Sequence, residues 1–390
     1  MRSFPSGATD MRSFPSGART RRAGARRALQ GVAGALVLGG GFLAGSASCA
    51  PSGFADPTVV QTVRILASSA DNTYAAPGEE VTLQVLAYDG RPSKPEPMTL
   101  YWLPFVCENP DADAYYACFA QFEQAAGKAD AGPGADGSAG SFGGAGLPSL
   151  ATGPSYTFTM PADAVTSHPA TMGAPVPYGL AILFNVACAG HLERVPIDPS
   201  NANPQAVPIG CFDARHNQLG PDDWVFGFTR VYAYDKLKNA NPVISYVDVG
   251  GARLPVTAQT GASQVYATPA CDSSTSCLSM PHCASGDGSQ CQVKIGPVVP
   301  PSSWEVNPEE RDVHGDPLHE EIWTDYFTTL GSLTDEARLL YDSTTGSVGG
   351  PAATDNTFQA PSQPGVGTLW MIVHDNRGGA AWVTVPVVIE

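Results

Sequence analysis

Charge is scarce in this chain. Only 15% of its 390 residues are charged, and 21 Lys and Arg face 37 Asp and Glu, a net charge of −16. A surface so poor in cations excludes nucleic acid as a partner, because that binding rests on Lys and Arg neutralising phosphates. Long apolar runs are missing too. The longest, Gly31–Gly45, is about fifteen residues and broken by Gly39, Gly40 and Gly41, whereas a bilayer-spanning helix needs about 20. There is no G-x-x-x-x-G-K-[ST] phosphate loop and no G-x-S-x-G elbow, which removes the sequence grounds for a nucleotide-binding or α/β-hydrolase reading. No convincing amphipathic helix is visible, which points away from α and α/β folds.

What the chain has is glycine and proline, 42 and 35 residues, and nine cysteines. Its beginning reads as an export signal. Arg19, Arg21, Arg22, Arg26 and Arg27 form a basic patch, the apolar run follows, and Ser46-Ala47-Ser48-Cys49 supplies small residues before a cysteine. That is the layout of a secretory signal peptide, residues 1–48. MRSFPSGA stands twice, at Met1 and at Met11, so Met11 is the second candidate start. Ser46–Cys49 resembles a lipobox, with Ser46 where the family carries leucine. The resemblance implies a lipid on Cys49 and an outer-membrane lipoprotein tethered by residues 49–57; Ala50, in the place where aspartate favours inner-membrane retention, leans the same way. The competing outcome is a plain cut after Ala47 or Ser48. Residues 1–48 hold seven of the basic and one of the acidic residues, so the mature 342 residues carry a net charge of −22.

Setting Cys49 aside leaves eight cysteines, enough for four disulfides in an oxidising compartment. Cys107 and Cys118 bracket one polar loop and Cys188 and Cys211 another, so each is expected to pair. Cys271, Cys277, Cys283 and Cys291 form a Cys-rich loop, 271–291, whose pairing the sequence leaves open. Its spacings lack the paired C-x₂₋₄-C pattern of structural zinc sites, with or without His282.

Period-2 alternation marks strands. Thr58–Leu66 reads as the first. Val81, Leu83, Val85 and Ala87 alternate in the next, after the Pro77-Gly78-Glu79 turn. Thr99–Phe105 carries Trp102, and Tyr156–Pro161 resumes the pattern after a glycine-rich insertion, 126–153, expected to be a disordered loop. Leu180, Ile182, Phe184, Val186 and Cys188 mark one face of a long strand, and Trp224–Tyr234 is another. Leu237–Pro242 reads as a linker. Beyond it come Val243–Val249, Glu321–Leu330, and a terminal hairpin of Thr368–His374 and Ala380–Ile389 around Asp375–Gly379. Many short strands without helices predict an all-β protein of antiparallel sandwiches.

The order of a Pro-Gly-Glu turn, a strand, a Trp-bearing strand, Tyr-Thr-Phe-Thr-Met-Pro and two long strands resembles bacterial immunoglobulin-like domains. More closely, the chain resembles Pro/Gly-rich exported lipoproteins of myxobacteria, over most of its mature length. The resemblance implies tandem immunoglobulin-like sandwiches, residues 58–236 and 243–390, and no activity. Two departures matter. The Val81–Ala87 strand has no cysteine, and Val186-Ala187-Cys188 replaces the Y-x-C pattern, so the inter-sheet disulfide and tyrosine corner are not expected.

Candidate chemistry is thin. His314 and His319-Glu320-Glu321-Ile322-Trp323 depart from H-E-x-x-H, because Trp323 stands at the second His position. His168, His191, His216, His282 and His374 are scattered along the sequence. Asp111 with Asp113, and Asp130 with Asp136, offer oxygens but do not match a calcium loop. Trp224, Phe226, Phe228, Tyr232 and Tyr234 could line a carbohydrate-binding face or belong to the core. No catalytic residue, metal or cofactor is assigned. The expectation is a non-enzymatic envelope lipoprotein, adhesive or scaffolding, whose partners are the membrane through its lipid and envelope proteins or polysaccharide. A glycan- or small-ligand-binding module is the alternative; a cryptic hydrolase, with His314 or His374 beside Asp and Ser, is the third.

Overall fold

The β-branched and aromatic residues that alternate along the sequence do so because each strand has a core face and an outer face. The computed structural model describes residues 56–119, 150–169, 176–195, 209–255, 277–283, 290–311, 314–348 and 356–390. The signal peptide, Cys49, residues 126–149 of the glycine-rich insertion and Cys271 lie outside the described residues; the end of that insertion, expected to be a disordered loop, instead supplies a short strand at Ala151–Thr152.

In the first half, β1 (Val63–Ala70), β2 (Tyr74–Ala75), β3 (Glu80–Asp89), β4 (Thr99–Trp102) and β5 (Cys107–Glu108) come first. Then follow β6 (Ala151–Thr152), β7 (Ser155–Thr159), β8 (Gly179–Cys188), β9 (His191–Arg194), β10 (Ile209–Phe212) and β11 (Trp224–Ala233). One sheet has the order β1-β3-β7, and the facing sheet β2-β11-β8-β4-β6, with β5 also on β8. The opening strand thus switches sheets: β1 pairs antiparallel with β3, then β2 runs parallel to β11.

The second half repeats the plan. Its strands begin with β12 (Tyr246–Val249), β13 (Ala252–Leu254), β14 (Leu278–Met280), β15 (Gln292–Val298), β16 (Val306–Arg311) and β17 (Pro317–His319). They continue with β18 (Ile322–Thr328), β19 (Ser332–Leu333), β20 (Ala337–Asp342), β21 (Ser347–Val348), β22 (Asn356–Gln359), β23 (Gly365–Asp375) and β24 (Ala380–Ile389). The sheets are β13-β12-β15-β22-β19 and β14-β24-β23-β18-β20-β21, and β14 again runs parallel to the last strand, β24. Two facing antiparallel sheets, three-stranded against a longer one in the first half and five-stranded against six in the second, with an early strand added parallel to the last long one, are an immunoglobulin-like arrangement.

Each sandwich has its own core. In the first, Val81, Leu83 and Val85 of β3 meet Trp102, Leu183 and Val231. Trp102 is fully buried and donates Nε1–H to the Gly153 carbonyl at 2.9 Å. In the second, Tyr326, Phe358, Met371 and Val385 fill the equivalent space. Cys107 is bonded to Cys118 and Cys188 to Cys211, so Cys188 makes no inter-sheet bridge. In the Cys-rich loop Cys283 is bonded to Cys291, and Cys277 is disulfide-bonded as well.

One expectation about the strands needs correction. Thr58–Val60 does not belong to the first strand. Asp56 Oδ1 accepts from Thr58 N and Oγ1 at 2.9 and 2.7 Å, and this turn sends Val59 alongside Thr328 of the second half as a parallel bridge. On the Trp224–Tyr234 strand, for which core and carbohydrate-binding face both stood open, the aromatic side chains are partly covered. Phe226 and Phe228 point away from the first core, but Phe119, Tyr115 and Phe184 cover them, with Tyr115 stacked on Phe228 at 4.6 Å. The loop held by Cys107–Cys118 forms this second apolar layer, so all ten residues of β8 are buried. Among the described residues no helix is long and apolar enough to cross a membrane.

Candidate functional site

The two sandwiches meet through a third apolar cluster. Val60, Leu66, Ala67, Leu86 and Tyr88 of the first pack on Trp370, Ile372 and Trp382 of the second. Tyr88 and Trp370 lie 4.8 Å apart, and Trp370 is wholly buried. This explains a break in the β3 pattern: Leu86 and Tyr88 face outward from their own sandwich, yet both are buried.

Beside that cluster runs a polar clamp. Asn239 and Asn241, from the linker segment, bind both halves. Asn241 donates to the Ala70 carbonyl at 2.7 Å and accepts from Ala380 N at 3.0 Å. Asn239 Nδ2 donates to Thr73 Oγ1 at 3.0 Å and to Asp375 Oδ2 at 3.2 Å. Asp375 organises the β23–β24 turn by accepting from Arg377 N and Gly379 N at 2.8 and 2.7 Å. Gly379 is needed there, since a Cβ would sit 2.1 Å from Asp375 Oδ2.

The turn directs Arg377 inward. Its guanidinium donates to Glu320 Oε1 and to the Lys238 carbonyl, both at 2.6 Å, and lies 4.6 Å from the Tyr74 ring centroid. Of the two buried carboxylates only Glu320 is paired with the guanidinium, while Asp375 is held by backbone amides of the turn. Burial, reinforced by the Asp375 charge, pushes Glu320 up to about 7 against the pull of Arg377. Burial likewise raises Asp375, opposed by the Gly379 and Arg377 amides. For Arg377 burial works against the charge, but Tyr74 and Glu320 outweigh it and hold the group above its ordinary value.

This junction opens into a cleft of about 600 Å³. Tyr74, Tyr178, Phe228, Arg230, Tyr232 and Tyr234 line one wall; Trp323, His374 and the 375–380 turn line the other. The tyrosines form a connected group, with Tyr74 and Tyr234 at 4.6 Å and Tyr178 and Tyr232 at 5.8 Å. Arg230 lies 4.9 Å over the Phe228 ring. His374 stacks on its cross-strand partner Trp323 at 5.3 Å, and its Nε2 lies 3.2 Å from Asp325 Oδ2. Ser68 lines the same cleft but makes no hydrogen bond to His374. The walls offer ring faces for stacking and guanidinium groups for anionic or hydroxyl oxygens.

The other sequence candidates separate. His319 Nδ1 contacts the Trp304 carbonyl at 2.9 Å, while Glu320 turns into the junction; His314 sits in an exposed loop, so these groups share no metal. Asp113 accepts from Tyr178 OH at 2.5 Å and lies 2.9 Å from His168 Nε2, so its oxygens are used inside the protein. His282 Nδ1 contacts the Glu390 carbonyl at 2.7 Å. Asp130 and Asp136 lie outside the described residues. Of the aromatic set, Phe228, Tyr232 and Tyr234 reach the cleft. Sequence reasoning missed Tyr74, Tyr178, Glu320 and Arg377 as a group; an arginine within a tight Asp-Asn-Arg-Gly-Gly turn was the available signal.

No family model and no curated protein matches this chain. Among solved structures, it is similar to three N-terminal domains of the Highly Immunogenic Outer Capsid protein of bacteriophage RB49, at 11% identity and a TM-score of 0.16. The match covers 84% of this chain and 59% of that one. It is similar also to dimeric latent PorU from Porphyromonas gingivalis, at 10% identity and a TM-score of 0.17, over 85% of this chain and 24% of that one. The chain thus spans less than two thirds of either structure, and likeness at these scores carries no argument. The strand order itself defines the class: a disulfide-stapled protein of tandem immunoglobulin-like sandwiches. Its disulfides fit an oxidising, exported compartment.

Proposed function

We propose that the chain is a non-enzymatic cell-envelope lipoprotein, tethered through Cys49 to the outer membrane, that serves as a stiff adhesive or scaffolding element of a surface assembly. The observation that carries this reading is the junction. An apolar cluster with two tryptophans and an asparagine clamp join the sandwiches, so force on one half passes to the other instead of bending a linker. The acidic surface suits a partner that is basic or neutral, envelope protein or polysaccharide. The test is cross-linking on intact cells, with capture of the tagged wild type beside Cys49→Ala. A reproducible envelope partner lost in Cys49→Ala is expected. Capture of nothing, with the variant released and otherwise unchanged, refutes the assembly role.

The cleft favours a second reading, a site for a glycan or a small aromatic-stacking ligand. Four tyrosines and Trp323 supply ring faces, and the buried Arg377 Nε has no partner among the described residues. Titration with envelope oligosaccharides should quench tryptophan fluorescence in the wild type and not in Trp323→Phe. Unchanged emission across the panel removes this reading.

A further inference from the structure

We propose that His191, Glu193 and His216 form a binding site for a divalent transition metal of the zinc type, on the hairpin that follows β8. The sequence reading left these histidines scattered; the fold brings them together. His191 and Glu193 are two apart on β9 and so share a face. Antiparallel pairing places Phe212 opposite His191, and the chain then turns back through Asp213–Asn217, which brings His216 over the same face. Nε2 of His191 and Nδ1 of His216 converge on Glu193 Oε1, at 2.7 and 2.6 Å, with the rings 5.5 Å apart and nearly perpendicular at 89°. All three ligand atoms lie within 4.8 Å of one another.

The surrounding frame is braced. Asp213 accepts from Arg215 N, Asn217 N and Asn217 Nδ2 at 2.8, 2.9 and 3.0 Å, and the turn closes on Cys211 through Leu219 N at 2.8 Å. Cys211 is tied to Cys188. His216 is held at a φ of +62°, a left-handed conformation uncommon for a side-chain-bearing residue.

The donor set identifies the ion. Two imidazoles and one carboxylate are a three-ligand zinc set that leaves a position for water or an external group. Imidazole selects zinc, copper or nickel over calcium and magnesium, which take oxygen. Tetrahedral zinc with bonds of about 2.0–2.1 Å needs ligand atoms roughly 3.3 Å apart. The exposed His216 and half-exposed His191 therefore need to draw back by about half an ångström, within the freedom of surface side chains. The bound ion would cross-link β9 to the turn after β10, beside the disulfide that already ties β8 to β10.

The experiment uses the oxidised full-length mature protein, stripped with chelator and titrated with zinc by calorimetry and with cobalt by visible absorbance. The expected result is one equivalent of zinc, a tetrahedral cobalt spectrum, and a loss of at least about tenfold in affinity in His216→Ala and in His191→Ala. His282→Ala, at the other end of the molecule's sequence, should bind as the wild type does. His216→Ala removes an exposed side chain, and unchanged far-ultraviolet circular dichroism will show that it folds. No zinc uptake by the wild type, wild-type affinity retained in both variants, or equally tight calcium binding each overturns the proposal.

Discussion

Replacing Glu320 by glutamine tests how the junction is charged. Glu320 has no exposed surface, is paired with the guanidinium of Arg377, and feels the nearby charge of Asp375. Its pKa is pushed from 4.5 up to about 7, first by burial and then by Asp375. A carboxyl raised on folding binds its proton more tightly in the native state. Its contribution is full below the unfolded pKa and is lost as pH rises through the folded one. At about 1.4 kcal/mol per unit, the span corresponds to roughly 3 kcal/mol lost between about pH 4.5 and 7.5. Glutamine keeps an oxygen for Arg377 Nη1 and cannot ionise, so this part of the slope should vanish. Asp375, raised in the same direction, leaves a residual fall in both proteins. Urea unfolding followed by tryptophan fluorescence at several pH values gives the two curves. Stability of the wild type should fall relative to Glu320→Gln as pH rises. Parallel curves, or a wild type that gains on the variant with rising pH, would refute the account of a Glu320 carboxyl raised by burial and by Asp375.

Trp370→Ala should cost about 3–5 kcal/mol by emptying the centre of the junction, whereas Trp370→Phe should cost less, since Nε1 has no partner among the described residues; urea midpoints separate the two. Gly379→Ala should destabilise by about 1–3 kcal/mol because its Cβ collides with the Asp375 carboxylate, and thermal unfolding will show a larger loss than for Gly78→Ala, where φ is +79° but nothing lies within 4 Å. Serine at both Cys188 and Cys211 should lower stability by roughly 3 kcal/mol, read as a lower urea midpoint; an unaltered midpoint contradicts a stapling role.

The strands were legible where one face meets a core and the other meets water or a single layer of loop. Val81, Leu83, Val85 and Ala87 were found by period 2, and the β23–β24 hairpin by its Gly-containing turn between apolar runs. Short segments such as β14 and β22 were not, because three or four residues carry too little pattern and owe their conformation to a long neighbour already in place. The second apolar layer was hidden for another reason. Aromatic side chains at 226 and 228 look alike whether solvent or a disulfide-bound loop covers them; only the distant Tyr115 and Phe119 decide. The candidate cleft was least legible. Its polar members come from residues 74, 178, 230, 374 and 377, and no local spacing links them.

That distribution bears on where function resides. Within each sandwich the buried side chains answer to the core of that half, and any β-sandwich needs such a set. Leu86, Tyr88, Trp370 and Trp382 answer to nothing in their own halves: turned outward on separate sandwiches, each would be an exposed apolar liability. Asn239 and Asn241 satisfy backbone and side-chain groups on both sides of the joint, and a merely flexible connection would need neither. A buried carboxylate such as Glu320 costs stability that a leucine would not. Outward tryptophans, a two-sided clamp and a buried ion pair together fix the relative setting of the two halves. A cleft whose walls come from different sandwiches needs such a setting, and so does a scaffold that bears load.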